Sequence, residues 1–559
     1  MPRSDWYNTE LPSLPTPKTV TALPQFFLDK LRKYAMGLLE EENRKYNEIQ
    51  QNQSSYKFYS TIMQSGTLSD KISALTLAVQ ESPIHNTKAL ENLISLSMKR
   101  SRSQAVEVLR ALKDMFAQGS ILPSDRKLKA LGSQTALAAA FQAKGSPGTK
   151  WTERDPLPGG IQKGHLIIWA FEDYLKKQYF EVLKILETWC NDEIEFSRSR
   201  AVTYVYELLK EKPEQEANLL RLLVNKLGDR ARKIASRASY LLLQLEQAHP
   251  LMKPTIITAG EEFVFRPGQP LHAKYYAVIT LNQTILSTKE EKVASQLIDI
   301  YFALFVALLK SPKDQATPKA KSKDKKGKKK KGKSKAEEAK QQQHDDQMKE
   351  KVISAVLTGV NRAYPFATSD SERLTKHIDT LFRITHSSNF NTSIQALLLI
   401  QQLTTTHQVA AERFYRTLYE SLLDPRVATS SKQAQYLNLL YRALKDDLNM
   451  QRVKAFVKRI MQVLVLHQPS FICGVFFLIR ELEKKFPSLT SLVDEPEADE
   501  SDDEEVFRDV PDEEDERRSV STSATDDSSS RSRRTGYDPR KRDPQHSNAD
   551  KACLWELVS

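Results

Sequence analysis

The chain has 559 residues, of which 40% are hydrophobic, and a formal net charge of +12. This length allows two or more domains or one long repeat array, and it excludes a small protein held together by disulfide bonds. Glycine contributes only 17 residues, about 3% against a usual share of roughly 7%. Strand-rich folds and nucleotide-binding α/β folds both use glycine heavily, so the composition favours an all-helical protein.

The charge is distributed unevenly along the chain. Residues 319–335 hold eleven lysines and one aspartate, a net +10, whereas residues 494–516 hold fifteen acids and one arginine, a net −14. The rest of the chain therefore carries +16, an excess expected to attract polyanions such as RNA or DNA. Solvated lysine-rich helix faces are the alternative interpretation.

Cysteine usage and the apolar runs indicate the compartment. The three cysteines, Cys190, Cys473 and Cys553, lie far apart and form no CxxC pair, which fits a reducing compartment. The polar start lacks the apolar core of a signal peptide, and no apolar run approaches about 20 residues. We therefore expect no membrane insertion.

The N-terminal part predicts an extended arm, residues 1–25, followed by an N-terminal helical region, residues 26–131. Ser69 and Asp70 are the predicted N-terminal caps of the second helix of this region. The glycine- and proline-rich stretch 132–166 predicts a loop. The predicted helices of the region are 26–58, 68–81, 89–98 and 104–116.

Helical periodicity returns in a first helical-repeat block, residues 167–310, and again in a second block, residues 351–487. Between them, residues 311–350 predict a disordered lysine-rich linker, and residues 488–559 predict a disordered tail that is acidic, then serine-rich, then basic. Two apolar stripes define predicted core faces: Ile234, Ala238, Leu241, Leu242 and Leu245, and Val293, Leu297, Ile300, Leu304 and Leu308.

Tandem helices of this size, with short joins and no sustained strand-like alternation, are typical of an α-solenoid of HEAT or armadillo type. No clean repeat consensus is present, and an irregular helical bundle is the alternative. The predicted fold class is therefore all-α, an α-solenoid in two blocks with a disordered insertion and tail.

The lysine tract contains a literal phosphate-loop match, GxxxxGK[ST], at residues 327–334. Residues 312–326 upstream are charged and predict no strand, so the match lacks the context that a phosphate loop needs. The tract instead predicts a nuclear or nucleolar address or a phosphate contact, with a solubilising insertion as the alternative. The candidate residues are Lys325, Lys326, Lys328, Lys329, Lys330, Lys331 and Lys333.

Two further charged segments are candidates for binding or modification. Arg230, Arg232, Lys233 and Arg237 open the helix that ends near Leu245, on the side opposite its apolar stripe, and are candidate RNA contacts. Pairing with acids such as Asp229 or Glu246 is the alternative. Ser501 precedes three acids and is a candidate phosphorylation site, and the acidic stretch around it is a candidate for binding basic ribosomal proteins or histones, or the lysine tract itself.

Catalytic motifs are missing from the sequence. The ten histidines are scattered, and neither HExxH nor GxSxG occurs. We therefore predict no enzymatic activity, no cofactor, no metal site and no small-molecule substrate.

Several segments resemble the CCAAT-box-binding factor and nucleolar complex protein family, in order along most of the chain. They include SGTLSDKISALT at 65–76, AKYYAVITLNQ at 273–283 and LTGVNRAYPFA at 357–367. The others lie at 80–85, 225–229, 233–245, 265–267, 390–397, 414–419, 537–544 and 553–557. Members of the family continue beyond both ends of this chain, so we expect it to lack flanking segments that its relatives carry.

The resemblance implies a non-enzymatic ribosome biogenesis factor of the nucleolus or nucleus. It implies an α-solenoid scaffold that pairs with a second nucleolar-complex protein and binds early pre-60S particles carrying precursor rRNA. The family name also records a CCAAT-element DNA-binding transcription factor, which is the alternative function, but the sequence contains no helix-turn-helix, zinc or basic-zipper pattern. A transport receptor is a weaker alternative, because such solenoids are usually acidic.

Overall fold

A computed structural model of the chain describes residues 3–14, 21–51, 54–98, 101–143, 148–309, 335–367, 378–379, 381–386, 389–407, 410–494 and 537–557. Within these ranges the regular secondary structure is helical, and no β-strand occurs. The chain forms two compact units, Met1–Ile285 and Leu286–Ser559. No helix in the described ranges is long and apolar enough to cross a membrane.

The first unit is a succession of helices with short joins. They are α1 (Gln25–Gln50), α2 (Ser54–Ser65), α3 (Leu68–Glu81), α4 (Thr87–Ser97), α5 (Arg102–Ala117), α6 (Thr135–Gln142), α7 (Lys163–Cys190), α8 (Glu195–Glu211), α9 (Glu216–Asn225), α10 (Arg232–Ala248), α11 (Lys253–Phe265) and α12 (Leu271–Gln283).

The helices of the first unit stack in two layers. One layer runs α5, α8, α10, α12, and the other runs α4, α7, α9, α11, each helix packing on the next member of its layer. Such stacking of successive helix pairs is the architecture of an α-solenoid. The five apolar residues predicted for the stripe of α10 are all buried, because they face the adjacent helices. The predicted fold class, an all-α solenoid of HEAT or armadillo type, is confirmed.

The second unit is also built of helices. Its helices are α13 (Glu291–Leu309), α14 (Lys335–Ala363), α15 (Phe390–His407), α16 (Ala411–Ser421), α17 (Gln433–Lys445), α18 (Met450–Val463), α19 (Pro469–Lys485) and the single turn α20 (Ser491–Asp494). Helices α14, α15, α17 and α19 form one layer, in which each packs on the next.

The boundary between units differs from the expected one. The sequence predicts that the first block extends to residue 310, but α13 packs against α14, on the far side of the lysine tract. The apolar stripe from Val293 to Leu308 is buried as predicted, within the second unit. The division between the two compact units therefore falls after residue 285, before α13.

Helix α3 begins where the sequence predicts, but with a different cap. The Thr67 hydroxyl accepts a hydrogen bond from the Asp70 amide (3.3 Å), and the Asp70 carboxylate accepts one from the Thr67 amide (3.1 Å). This reciprocal pair is a capping box, which satisfies backbone donors that a helix start leaves unpaired. Ser69, predicted as part of the cap, is inside the helix.

Replacing Thr67 with alanine is expected to lower the free energy of unfolding of the first unit by about 1 kcal/mol, because one capping hydrogen bond is lost. Ser69→Ala, two residues further along the chain, serves as the control and should change the free energy of unfolding by less than about 0.5 kcal/mol. Urea unfolding followed by circular dichroism measures both. Equal losses would show that the cap lies at Ser69 after all.

Two segments predicted to be irregular carry core residues. In the predicted extended arm, Trp6 is fully buried, packs edge-on against Phe171 at 5.1 Å and donates its indole N–H to the Ile121 carbonyl (2.8 Å). The predicted loop 132–166 contains α6 and the buried Trp151. Single aromatic residues among prolines and glycines form no periodic pattern, so the sequence does not predict their burial. Burial of Trp6 and Trp151 nevertheless stabilises both segments.

A buried cluster of carboxylates on α7 and before α9 fixes the segment that leads from α5 to α6. Glu172 and Glu214 are each about 3% exposed. They accept hydrogen bonds from backbone amides of that segment, Lys129 (2.8 Å) and Leu128 (2.7 Å) respectively. The cluster therefore satisfies backbone donors that would otherwise be buried without partners.

Asp173 extends the cluster. Burial raises the pKa of Asp173, but hydrogen bonds from the Lys177 ammonium and the Leu131 amide, together with the positive charges of Lys177 and Arg32, hold that pKa below its ordinary value. The carboxylate contacts Arg32 of α1 (3.2 Å) and Lys177 (2.8 Å). It thereby joins α1 to α7.

The predicted disordered tail is structured at its end. Residues 537–557 lie along α18, where they cover Lys458 and Arg459, which are 1% and 2% exposed. The Lys458 ammonium contacts the Glu556 carboxylate at 2.8 Å, and Arg459 donates to the Pro539 carbonyl (2.7 Å). We call residues 537–557 the C-terminal clamp. The polar composition of this segment predicts disorder, and buried cations supplied from α18 are the reason it is ordered.

Candidate nucleic-acid interface

The start of α10 is held by a buried group of charges. The Asp229 carboxylate contacts the Arg198 guanidinium (3.1 Å) and the Lys226 ammonium (3.6 Å), and it accepts a hydrogen bond from the Ala231 amide (2.9 Å). The Arg198 and Asp229 side chains are only about 5% and 4% exposed. Lys226 also donates to the Cys190 carbonyl (2.6 Å), so the turn before α10 is fixed to the end of α7.

The four candidate RNA contacts lie at the start of this helix: Arg230 precedes it, and the other three lie on its exposed face. Arg230, Arg232, Lys233 and Arg237 are all exposed. Asp229, the acid proposed as their alternative partner, binds Arg198 and Lys226 instead. Glu246, the other proposed partner, is buried against Thr284 (3.1 Å).

Among the residues that the structure describes, no ion pair joins any of the four cations to an acid. Two of them are oriented by neutral acceptors on the chain around α8: Arg230 donates to the Glu193 carbonyl (3.0 Å) and Arg237 donates to the Thr203 hydroxyl (3.1 Å). Their positive charges are therefore not neutralised within the described chain and are presented to solvent.

Nearby acids on α8 have partners of their own. Glu207 pairs with Lys113 of α5, and Glu211 pairs with Lys210 at 3.2 Å. Exposed Glu193 and Glu195 lie at the start of α8. The basic surface is thus strongest along α10 and weaker toward the start of α8.

Aromatic rings border these cations. Arg232, Lys233 and Arg237 line a shallow groove together with Tyr240 of α10 and Tyr276 of α12. Tyr240 is 56% exposed, and its hydroxyl accepts a hydrogen bond from the Gln244 amide (2.8 Å).

A second aromatic residue lies on α8. Phe196 is 58% exposed, and the Arg200 guanidinium lies over its ring at 5.2 Å. Thr203, the hydrogen-bond partner of Arg237, follows one turn further along the same helix. We give the name basic-aromatic surface to the face formed by Phe196, Arg200, Arg232, Lys233, Arg237, Tyr240 and Tyr276. Tyr276 is half-buried, and the other six residues are exposed.

The sequence indicated the cations of this surface but not its rings. Tyr240 follows Arg237 by three residues and Lys233 by seven, so an aromatic residue on the polar face of α10 was a usable signal. Tyr276 and Phe196 belong to other helices and join the surface only through packing. The lysine-tract candidates, Lys325 to Lys333, and Ser501 lie outside the residues that the structure describes.

The chain is similar to one family model and to several known proteins. The model of the CBF/Mak21 family matches residues 393–559, which include the C-terminal clamp. Ribosome biogenesis protein NOC1 of Chaetomium thermophilum is 55% identical over all of this chain and 53% of its own length. CCAAT/enhancer-binding protein zeta of Homo sapiens is 36% identical over 92% of this chain and 44% of its own length. Nucleolar complex protein 1 of Drosophila melanogaster is 28% identical over 91% and 41%.

The chain spans about half the length of these curated relatives. Among solved structures, the crystal structure of Kap121p matches 83% of this chain and 51% of that chain, at 11% identity and a TM-score of 0.32. The resemblance expected from the sequence motifs is confirmed: residues 393–559 are a CBF/Mak21 family domain, and homologues of the chain are named NOC1, CCAAT/enhancer-binding protein zeta and nucleolar complex protein 1.

Proposed function

We propose that the chain is a non-enzymatic ribosome biogenesis factor of the nucleolus, a helical-repeat scaffold that binds precursor rRNA on early pre-60S particles. The names of its relatives support the process and the compartment. The observation that carries RNA binding is the set of four exposed cations on and before α10, which have no acidic partner among the described residues. Unneutralised cations bind phosphates by releasing counterions.

The lysine tract contributes to this proposal in a different way. Its net charge of +10 favours a nucleolar address and additional phosphate contacts. The relative named nucleolar complex protein 1 supports a second nucleolar-complex protein as partner. The net charge of −14 in the acidic stretch favours basic ribosomal proteins as further partners. The solenoid offers the long surfaces that such assemblies use.

Removing three charges from α10 tests RNA binding. The variant Arg232→Ala/Lys233→Ala/Arg237→Ala should weaken binding to precursor rRNA fragments about tenfold, and it should flatten the slope of log K against log salt by about 2. Fluorescence anisotropy across a salt series measures both quantities.

A matched control removes three lysines that already have acidic partners one turn away. Lys45→Ala/Lys184→Ala/Lys484→Ala changes the net charge equally, because Lys45, Lys184 and Lys484 pair with Glu41, Glu181 and Glu481. It should leave RNA affinity within about twofold. Equal losses in both variants would reduce the effect to net charge and remove α10 as the RNA site.

Duplex DNA carrying a CCAAT element distinguishes the alternative function. A scaffold that binds phosphates should show little preference for CCAAT over scrambled duplex. A preference of about a hundredfold or more would instead require base contacts and would support a transcription factor.

A further inference from the structure

The basic-aromatic surface combines two kinds of group that a phosphate-binding surface alone does not require. Cations suffice to hold a nucleic-acid backbone. Here exposed Tyr240 and Phe196, at 56% and 58%, stand beside Arg237 and Arg200. Accessible rings next to cations are the arrangement with which proteins hold unpaired bases.

The rings and cations form one continuous surface. On α8, the Arg200 guanidinium lies over the exposed Phe196 ring, and Thr203 lies about one turn after Arg200. The Thr203 hydroxyl accepts a hydrogen bond from Arg237, which links this end to α10. From Arg237 the groove continues to Tyr240 and Tyr276.

We infer that this surface binds single-stranded RNA, with bases stacking on Tyr240 and Tyr276 and phosphates on Lys233 and Arg237. The inference rests on the proposed function and names the class of RNA. A double helix keeps its bases stacked on each other and offers only phosphates, hydroxyls and the edges of a shallow groove to a protein. Its bases cannot stack on these tyrosines, so a duplex uses the cations alone.

The arginine on α8 fits the same ligand. The Arg200 guanidinium carbon lies 5.2 Å from the centroid of the Phe196 ring, a cation–π contact that holds a planar group at the surface. Unpaired bases stack on guanidinium planes as well as on aromatic rings. Glu193 and Glu195 lie just beyond Phe196 and set the boundary of the surface, since acids repel phosphates.

The experiment removes the rings and keeps the charges. Tyr240→Ala/Tyr276→Ala in the full chain is compared with Tyr240→Phe/Tyr276→Phe, which keeps both rings. The probes are a fluorescent oligouridine of about 12 nucleotides and an RNA duplex of similar length. The alanine variant should bind the oligouridine at least about tenfold more weakly, with an unchanged salt slope, and bind the duplex within about twofold of the unmodified chain. The phenylalanine variant should bind both like the unmodified chain.

The possible outcomes separate this inference from the proposed function. An unmodified chain that binds neither RNA refutes both. Equal loss of oligouridine and duplex, or loss of neither, refutes stacking while RNA binding by the charges stands. Displacement of oligouridine by polyglutamate at equal concentration would assign the surface to an acidic protein partner instead. Far-ultraviolet circular dichroism of the alanine variant must match the unmodified chain. If it does not, the single variant Tyr240→Ala, which removes only the exposed ring, takes its place and should show the same selective loss of oligouridine binding.

Discussion

Replacing Lys458 with methionine is expected to lower the free energy of unfolding of the second unit by about 3–5 kcal/mol. The Lys458 ammonium lies 2.8 and 2.9 Å from the two Glu556 carboxylate oxygens and donates to the Cys553 carbonyl (2.5 Å). Their side chains are only 1% and 7% exposed. Methionine fills the same space but leaves the Glu556 carboxylate buried without its cation, and this uncompensated charge is the source of the loss.

Two further variants identify the cause. Lys454→Met makes the same change one turn earlier on α18 and should cost about 1 kcal/mol. There the ammonium donates to the Ser491 hydroxyl (2.7 Å) and forms no ion pair with a carboxylate of the described residues. Lys458→Met/Glu556→Met removes both charges and should recover most of the loss. Guanidinium unfolding measures all three free energies. If Lys458→Met unfolds at the same denaturant concentration as the unmodified chain, the clamp does not stabilise the unit.

The C-terminal clamp also explains how a charged segment at the end of the chain belongs to a helical domain. Arg459 lies over the Tyr419 ring at 3.3 Å and donates to the carbonyls of Pro539 (2.7 Å) and Lys541 (3.1 Å). At the other end, the Leu554 amide donates to the Leu492 carbonyl (2.7 Å). The family match extends to residue 559. Residues 537–544 and 553–557, the two segments of the clamp that resemble the family, therefore have a structural role: they complete the core around α18.

The periodicity of apolar residues predicted those features of the fold that depend on residues close together in sequence. The α3 range, 68–81, agrees with the structure at both ends, and the stripe from Ile234 to Leu245 is buried throughout. Both follow from local rules, because a helix that buries one face must repeat apolar residues every three or four positions. The predicted helix 26–58 is instead covered by two helices, α1, which ends at Gln50, and α2, which begins at Ser54. The sequence between them contains no glycine or proline.

Contacts between distant segments could not be predicted in this way. Lys458 and Arg459 have the composition of a helix surface, and only the clamp, about 80 to 100 residues later, makes them core. Trp6 depends in the same way on Ile121 and Phe171. A polar segment is ordered when its partner supplies the missing charge or hydrogen bond, and composition does not record that partner.

The same distinction between local and distant contacts applies to the basic-aromatic surface. The four candidate cations lie close together in sequence, Arg230 just before α10 and the other three on it, and were found as a group. Phe196, Arg200 and Tyr276 come from α8 and α12. The choice between phosphate contact and pairing with Asp229 also depended on tertiary structure, because Arg198 occupies that carboxylate.

Replacing Glu172 with alanine is expected to lower the free energy of unfolding of the first unit by about 3–5 kcal/mol. One carboxylate oxygen accepts a hydrogen bond from the Lys129 amide (2.8 Å) and contacts the Arg126 guanidinium, and the other accepts one from the Gln134 side chain (2.9 Å). Alanine leaves a partly buried backbone amide, a buried side-chain amide and a partly buried cation without their acceptor. Each unsatisfied group costs its own desolvation energy, so the losses add.

The matched control is Glu181→Ala on the same helix. Glu181 is also paired, with Lys184 at 2.7 Å, but both side chains are about half exposed and water replaces the lost partner. This variant should cost less than about 1 kcal/mol. Urea unfolding of the two variants separates burial from pairing, since the substitution and the helix are the same. A similar cost at both sites would mean that the segment 126–134 does not need the Glu172 carboxylate, and hydrogen exchange at the Lys129 amide would then remain as slow as in the unmodified chain.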